Sequence, residues 1–426
     1  MLKAALTSAE AAAGLKALAP QIENYAELIV RKGVNVREGQ EVVVQAPVEA
    51  RDFAAAVVRK SYEAGAGNVT VIWVDDEVSR LSYEYHDADF FKQVPEWKRV
   101  QLESLAEKGA CFIFIEGADP SALEGIDPAK PACAAASRNA SCPTFRRGMD
   151  FNINPWCIAG APVRAWARQV FPGVDDEVAV YQLWNAILDA SRALGEDPES
   201  EWELHNARFE KNLRILNESR FDALRLTSKN GTDLTVGLTD RHVWAGGKSQ
   251  TPDGHPFFPN IPTEEVFTSP DCRRVDGIVH SALPLIHNGA KVDGFWIRFE
   301  GGVAVDFDAE QGRDALKSIL DLDDGAKRLG EVALISKNTP IRQSGTLFYD
   351  TLYDENASCH LALGVGFPEC YEGGYDLTAD ELLERGVNKS HTHVDFMVGT
   401  DDMDIVGIRP DGTEEPVFVN GQWAWE

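Results

Sequence analysis

Hydrophobic periodicity changes character once along this chain, near Phe221, and that change limits the fold more than any composition figure does. Before it, helical and strand patterns alternate. The amphipathic stretch Ser8 to Lys32 leads to the strand EVVVQAP (Glu41 to Pro47) and a helical run from Val48 to Ala64. The apolar strand VTVIWV (Val69 to Val74), a helix around Trp97 to Lys108 and the strand ACFIFIEG (Ala110 to Gly117) follow. Strands separated by helices predict a small, mostly parallel sheet with helices on its faces. From Asp175 to Asn217 two helices are expected. One carries Val180, Leu183, Trp184, Ile187 and Leu188 on its apolar stripe, the other Trp202, Leu204 and Leu213.

After Phe221 short strands with turn signals take over. In LRLTSKNGTDLTVGL the pair Asn230-Gly231 marks a hairpin. Further strands are predicted at Gly277 to Ala282, Gly294 to Phe299, Gly330 to Ser336 and Phe396 to Val398. A closing hairpin joins Asp404 to Arg409 with Glu415 to Val419 around Pro410-Asp411-Gly412. The chain thus reads as an α/β N-terminal domain with a mostly parallel sheet and a helical connector, residues 1–215, followed by a β-rich α+β domain, residues 216–426. The glycines of AGAGN (Ala64 to Asn68) precede a strand instead of following one, so the strand, glycine turn and helix order of a dinucleotide site is missing.

The 426 residues hold 41 basic and 68 acidic side chains, a formal charge of −27. Such a field repels phosphate backbones and anionic membrane surfaces and favours cationic ligands, so no nucleic-acid partner is expected. The first residues carry neither an apolar secretory core nor an Arg-rich transit pattern, and no segment approaches the length of a membrane span. The seven cysteines are scattered and contain no CxxC pair, the usage of a cytoplasmic protein with reduced thiols.

Three parts of the second half collect polar groups that a plain β-domain has no use for. They are NIPTEEVFT (Asn260 to Thr268), LGEVALI (Leu329 to Ile335) with DENASCH (Asp354 to His360), and NKSHTHVDFMVG (Asn388 to Gly399). On a strand, His393 and Asp395 project from one face and can grip one cation. Glu331 opens an otherwise apolar strand, where an unpaired carboxylate is costly; a Lys or Arg partner or a metal would each satisfy it. Glu264 and Glu265 are adjacent, so one carboxylate can ligate metal while the other serves as general base.

With these residues in place, NIPTEEVFTSP, LGEVALI, TLYDENASCHLALG and NKSHTHVDFMVG resemble, in order and spacing, signature segments of the aminopeptidase T family of metal-dependent aminopeptidases. The resemblance extends upstream through NPWCIAGAPVRAWARQVFPG (Asn154 to Gly173) and covers about Asp150 to Gly399. It implies two divalent metal ions held by Glu265, Glu331, His360, His393 and Asp395, with Glu331 bridging and Glu264 as general base. It implies hydrolysis of the first residue from peptides with a free N-terminus, and a homodimer. The mixed carboxylate and imidazole donors suit zinc, cobalt or manganese.

One departure stands out: Phe367 occupies a position where the family usually has tyrosine. Tyr371, Tyr375 and His391 are the nearby groups that could replace the hydroxyl. Two other readings compete. Ring-cleaving dioxygenases of dihydroxypyridines resemble this family and use one ferrous ion, for which His360, His393 and Asp395 form a two-histidine, one-carboxylate set. A non-catalytic metal- or peptide-binding protein is the second.

Overall fold

The computed structural model describes residues 6–287 and 290–426. The chain groups into two compact units, Met1–Leu204 with Lys248–Pro262, and His205–Gly247 with Thr263–Glu426.

The first unit is built on a five-stranded sheet in the order Asn68–Val74, Glu41–Pro47, Cys111–Glu116, Trp156–Gly160, Asn260–Ile261, and every pairing in it is parallel. The β-branched run Val42-Val43-Val44 is buried, as both-face coverage of a parallel sheet requires. The helices Arg51–Glu63 and Glu96–Glu107 and the strand Cys111–Glu116 lie within a residue or a few of the expected bounds. The pattern did not reveal the strands Trp156–Gly160 and Asn260–Ile261 or the helices Asp76–Tyr85 and Ala129–Ser141. A structural demand explains one AGAGN glycine: a Cβ on Gly67 would stand 2.5 Å from the carbonyl oxygen of Gly39.

Helices Asp176–Ala190 and Pro198–Ser219 occupy the expected helical stretch. In the second of them the buried stripe runs through Trp202, His205, Phe209 and Leu216, while Leu204, expected on it, is 60% exposed. The helical period decides this. Leu204 sits two positions from Trp202, about 200° around the helix, whereas His205 and Phe209 follow at three and seven positions.

The second unit holds two antiparallel sheets. The larger includes the hairpin Ala223–Thr227 to Asp233–Leu238, turned at Gly231 with φ +107°, and the closing strands Asp404–Ile408 and Glu414–Val419. Its strands Pro270–His280 and Ala290–Glu300 are longer than expected, and Val303–Gln311 adds a strand that the sequence pattern did not show. The smaller sheet has the order Val266–Thr268, Leu329–Leu334, His360–Gly364, His393–Met397. Its last strand starts three residues before the expected Phe396. One face of the small sheet carries Val332, Leu334, Leu361, Leu363, Val394 and Phe396 into the core of this unit, shared with Leu224, Leu234 and Val236 of the larger sheet. The parallel first unit and the β-rich second unit have the expected α/β and α+β character.

Candidate metal centre

Strand alternation places the polar residues of the small sheet on the face opposite that core. Glu331, His360, His393 and Asp395 each sit one residue away from a core side chain, and register brings them together. His393 pairs with Gly364, Met397 with His360, and His360 with Ala333. Phe267 pairs with Ala333 on the same face, so Glu265, two residues before it, extends that face, while Glu264 has the opposite parity. Ala333, Ala362 and Gly364 form the floor, and their small side chains leave room above the sheet for larger groups.

The side chains converge tightly. His360 Nε2 lies 3.1 Å from Glu265 Oε2 and 3.9 Å from Glu331 Oε1. His393 Nε2 lies 3.0 Å from Glu331 Oε2 and 3.2 Å from Asp395 Oδ1. Glu265, Glu331 and His360 form one three-donor group, and Glu331, His393 and Asp395 form another, each with its ligand atoms within 4.8 Å of one another. Glu331 belongs to both. The five residues expected to ligate metal therefore lie together, and Glu264 stands outside both groups.

Backbone carbonyls fix the two rings. Nδ1 of His360 donates to Glu355 O at 3.0 Å, and Nδ1 of His393 donates to Val365 O at 2.8 Å. Each Nε2 is thereby turned to the carboxylates, the arrangement in which a histidine presents Nε2 to a metal. Burial alone would lower both imidazoles. Glu265, then Glu331 and Asp395, outweigh it at His360 and carry that ring up to about 10, and Asp395 and Glu331 hold His393 well above its ordinary range. Burial pushes Glu331 up to about 7 against the hydrogen bond from His393. Burial also works to raise Asp395, but His393 keeps its carboxyl below the ordinary value.

The geometry of the rings tests whether a cation fits. Each Nε2 faces carboxylate oxygens, at 3.1 and 3.9 Å for His360 and 3.0 and 3.2 Å for His393, and a divalent ion would bind the same atoms. Asp395 Oδ1 has no hydrogen-bond partner among the described residues, although it is buried and close to His393. An excess of buried carboxylates, one of them with an unsatisfied oxygen, over two imidazoles of fixed orientation is a donor set suited to divalent metal.

Three neighbours escaped the sequence reading. Glu355 ends the short helix Thr351–Glu355, and its carboxyl is pushed well above the usual range by burial, with the charges of Glu265 and Asp395 adding to the effect. Asn356 is fully buried; its Oδ1 accepts the Glu264 N–H at 2.6 Å and its Nδ2 donates to Leu352 O at 2.7 Å. His205 Nε2 lies 2.8 Å from Thr263 O and 3.8 Å from Glu264 Oε2. The first two lie in the quoted segment DENASCH, and His205 could have been found as the polar member of an apolar helical stripe.

Phe367 is a packing residue in this arrangement. Its ring lies between Phe267, at 5.5 Å, and His393, at 4.9 Å between centroids. The candidate replacements for a hydroxyl are engaged elsewhere. Tyr371 OH is 3.3 Å from Arg385 Nη1 and 3.5 Å from Asp240 Oδ1, Tyr375 OH donates to Glu369 at 2.9 Å, and His391 is exposed.

A buried cluster of carboxylates and imidazoles with this geometry is the kind of donor set found in metal-dependent enzymes. The chain belongs to the family described as thermophilic metalloprotease (M29), whose model matches residues 18–423, in agreement with the resemblance read from the motifs. Among its relatives, "Aminopeptidase AmpS" of Bacillus subtilis is 44% identical over 405 residues, 95% of this chain and 98% of that protein. The solved structure of wild-type AmpT from Thermus thermophilus is 39% identical with a TM-score of 0.89, over 96% of this chain and 100% of the other. A 2,5-dihydroxypyridine dioxygenase from Pseudomonas putida shares the fold alone, with 10% identity, a TM-score of 0.50 and 99% of each chain covered. No helix among the described residues is long and apolar enough to cross a membrane.

Proposed function

We propose that this chain is an aminopeptidase that removes the first residue of peptides at a dinuclear centre. Glu265, Glu331 and His360 would hold one divalent ion, Glu331, His393 and Asp395 the other. The observation that carries this reading is the sharing of Glu331 between two three-donor groups, with one carboxylate oxygen toward each histidine. A mononuclear two-histidine site would have no use for the placement of Glu265 beside His360. Zinc, cobalt or manganese would suit these donors.

Divalent ions supply Lewis acidity at the scissile carbonyl and to the attacking water. The protein's own groups do the rest. Glu264, outside both groups and fixed through its backbone by Asn356, is assigned the transfer of the water proton to the leaving amine. Glu355, whose carboxyl burial pushes well above the usual range, stands beside the centre as a further polar group that a free α-amino group could meet. A homodimer and a cytoplasmic setting belong to the same reading; the seven free cysteines are in keeping with a reducing compartment.

The test is release of amino acids from a dipeptide panel with and without N-acetylation, together with metal analysis. Loss of cleavage on acetylation and two metal equivalents per chain are expected. Equal cleavage of blocked and free dipeptides would refute exopeptidase action.

A further inference from the structure

Beside the metal-ligand cluster a small solvent-open cleft is lined by Leu285, Ile286, Tyr349 and Met397 and also by four acidic residues, Glu355 and Asp395 among them. We propose that this cleft receives the side chain of the substrate's first residue, and that Ile286 and Tyr349 set the size it admits. The inference rests on the aminopeptidase reading above and adds to it the place where the first residue is selected.

Connectivity decides which substrate residue the cleft takes. In a peptide the α-amino group and the first side chain hang from one carbon atom. An amine held by the carboxylates of the donor cluster, at the Asp395 end of the cleft, therefore directs the first side chain towards Leu285, Ile286 and Tyr349. The second residue lies beyond the scissile carbonyl and has no such tie to those carboxylates.

The wall is also built rather than incidental. Tyr349 holds φ +57°, a left-handed conformation that a bulky residue adopts only where its surroundings enforce it. Those surroundings are visible. The buried Asp354 carboxylate accepts the N–H groups of Phe348 at 2.7 Å and Asp350 at 3.2 Å, bracketing Tyr349, and Phe348 stacks on Tyr353 at 4.7 Å. Across the cleft, Ile286 stands on the strand Leu285–His287, in register with Lys291 of the neighbouring strand. Asp354, although it lines the cleft, is occupied by backbone amides, and the selection by size is assigned to Ile286 and Tyr349.

The metal-loaded enzyme is assayed on X-Ala dipeptides, with X as Gly, Ala, Leu, Phe or Arg, and free glycine and leucine are titrated onto it by calorimetry. For Ile286→Trp, kcat/KM on Leu-Ala and Phe-Ala should fall about tenfold or more while Gly-Ala changes little, the usual worth of a few methylenes in a pocket. Leucine binding should weaken and glycine binding should not. Tyr349→Gly, which suits the left-handed backbone and opens the wall, should raise Phe-Ala relative to Ala-Ala several-fold. Unchanged selectivity among first residues in both variants, a change that instead follows the second residue in a Leu-X series, or a wild-type preference for Arg-Ala would overturn the proposal. If wild type cleaves no dipeptide yet Ile286→Trp selectively weakens leucine binding, the cleft assignment stands and the peptidase reading fails. If neither is seen, both fall.

Discussion

Glu331 and Asp395 stand on opposite sides of Ala362, each its register partner from a neighbouring strand. The small methyl between them lets two carboxylates share one face of the sheet without a side chain wedged between. Ala362→Val keeps β propensity and core parity but adds bulk in the middle of this row. Metal affinity should drop about 10–100-fold, as when other supports of metal ligands are disturbed, with the fold retained. A metal titration with unchanged affinity would show that the row does not set the ligand geometry.

Glu331→Gln removes the charge that both donor groups use. Metal stoichiometry should fall from two to one or fewer, and activity should vanish, because an amide cannot serve two cations as a carboxylate does. Full metal content in this variant would end the bridging assignment.

Proton displacement gives the centre a pH signature. Without metal, His360 keeps its proton up to about pH 10 and Glu331 is half-protonated at about 7. Metal binding expels these protons, so affinity must rise with pH. Between pH 7 and 9 the imidazole protons are displaced but Glu331 is already ionised; below 7 the Glu331 proton must leave as well. A plot of log affinity against pH should therefore be steeper below pH 7 than above it. A curve that is flat, or steeper above 7, would contradict the protonation states argued for these groups.

The parallel-sheet first half with its β-rich second half, and the five converging carboxylate and imidazole side chains, were legible in the sequence for different reasons. Alternating apolar strands survive as patterns because burial enforces them, so Glu41–Pro47 and Leu329–Leu334 stood out. The donors were readable because Glu331 is anomalous in an apolar strand and because the motifs resemble a family. Glu355 and Asn356 were not, since their roles depend on where a short helix ends relative to a strand far away in sequence. The return of Lys248–Pro262 to the first unit left no local signal, because a two-residue strand such as Asn260–Ile261 has no period to detect.

Asn356 offers a test of how Glu264 is held. Its side chain satisfies the Glu264 N–H and the Leu352 carbonyl in a fully buried position. Asn356→Leu should cost about 1–3 kcal/mol of stability through these orphaned groups. It should lower kcat more than metal content, because Glu264 is displaced while the ligands remain. Glu264→Gln, with the backbone contact intact, should keep both metals and lower kcat about two to four decades. If Glu264→Gln loses metal while Glu265→Gln retains it, the two roles are exchanged.

Phe367 supports His393 by packing, with Phe267 behind it and its own N–H bound to Ser269 Oγ at 2.8 Å. Phe367→Tyr keeps this ring stack, so metal content should not change. Tyr371 and Tyr375 are committed to Arg385, Asp240 and Glu369, so neither supplies the missing donor, and charge stabilisation is assigned to the metals. The added hydroxyl should then alter kcat by less than about tenfold. A well-placed donor is worth roughly a hundredfold or more, so a gain of that size at constant KM would show that the position is catalytic and only vacant here. Phe367→Ala separates packing from chemistry: it should loosen His393 and reduce metal affinity, and a variant with wild-type metal binding would show that the ring does not hold the ligand.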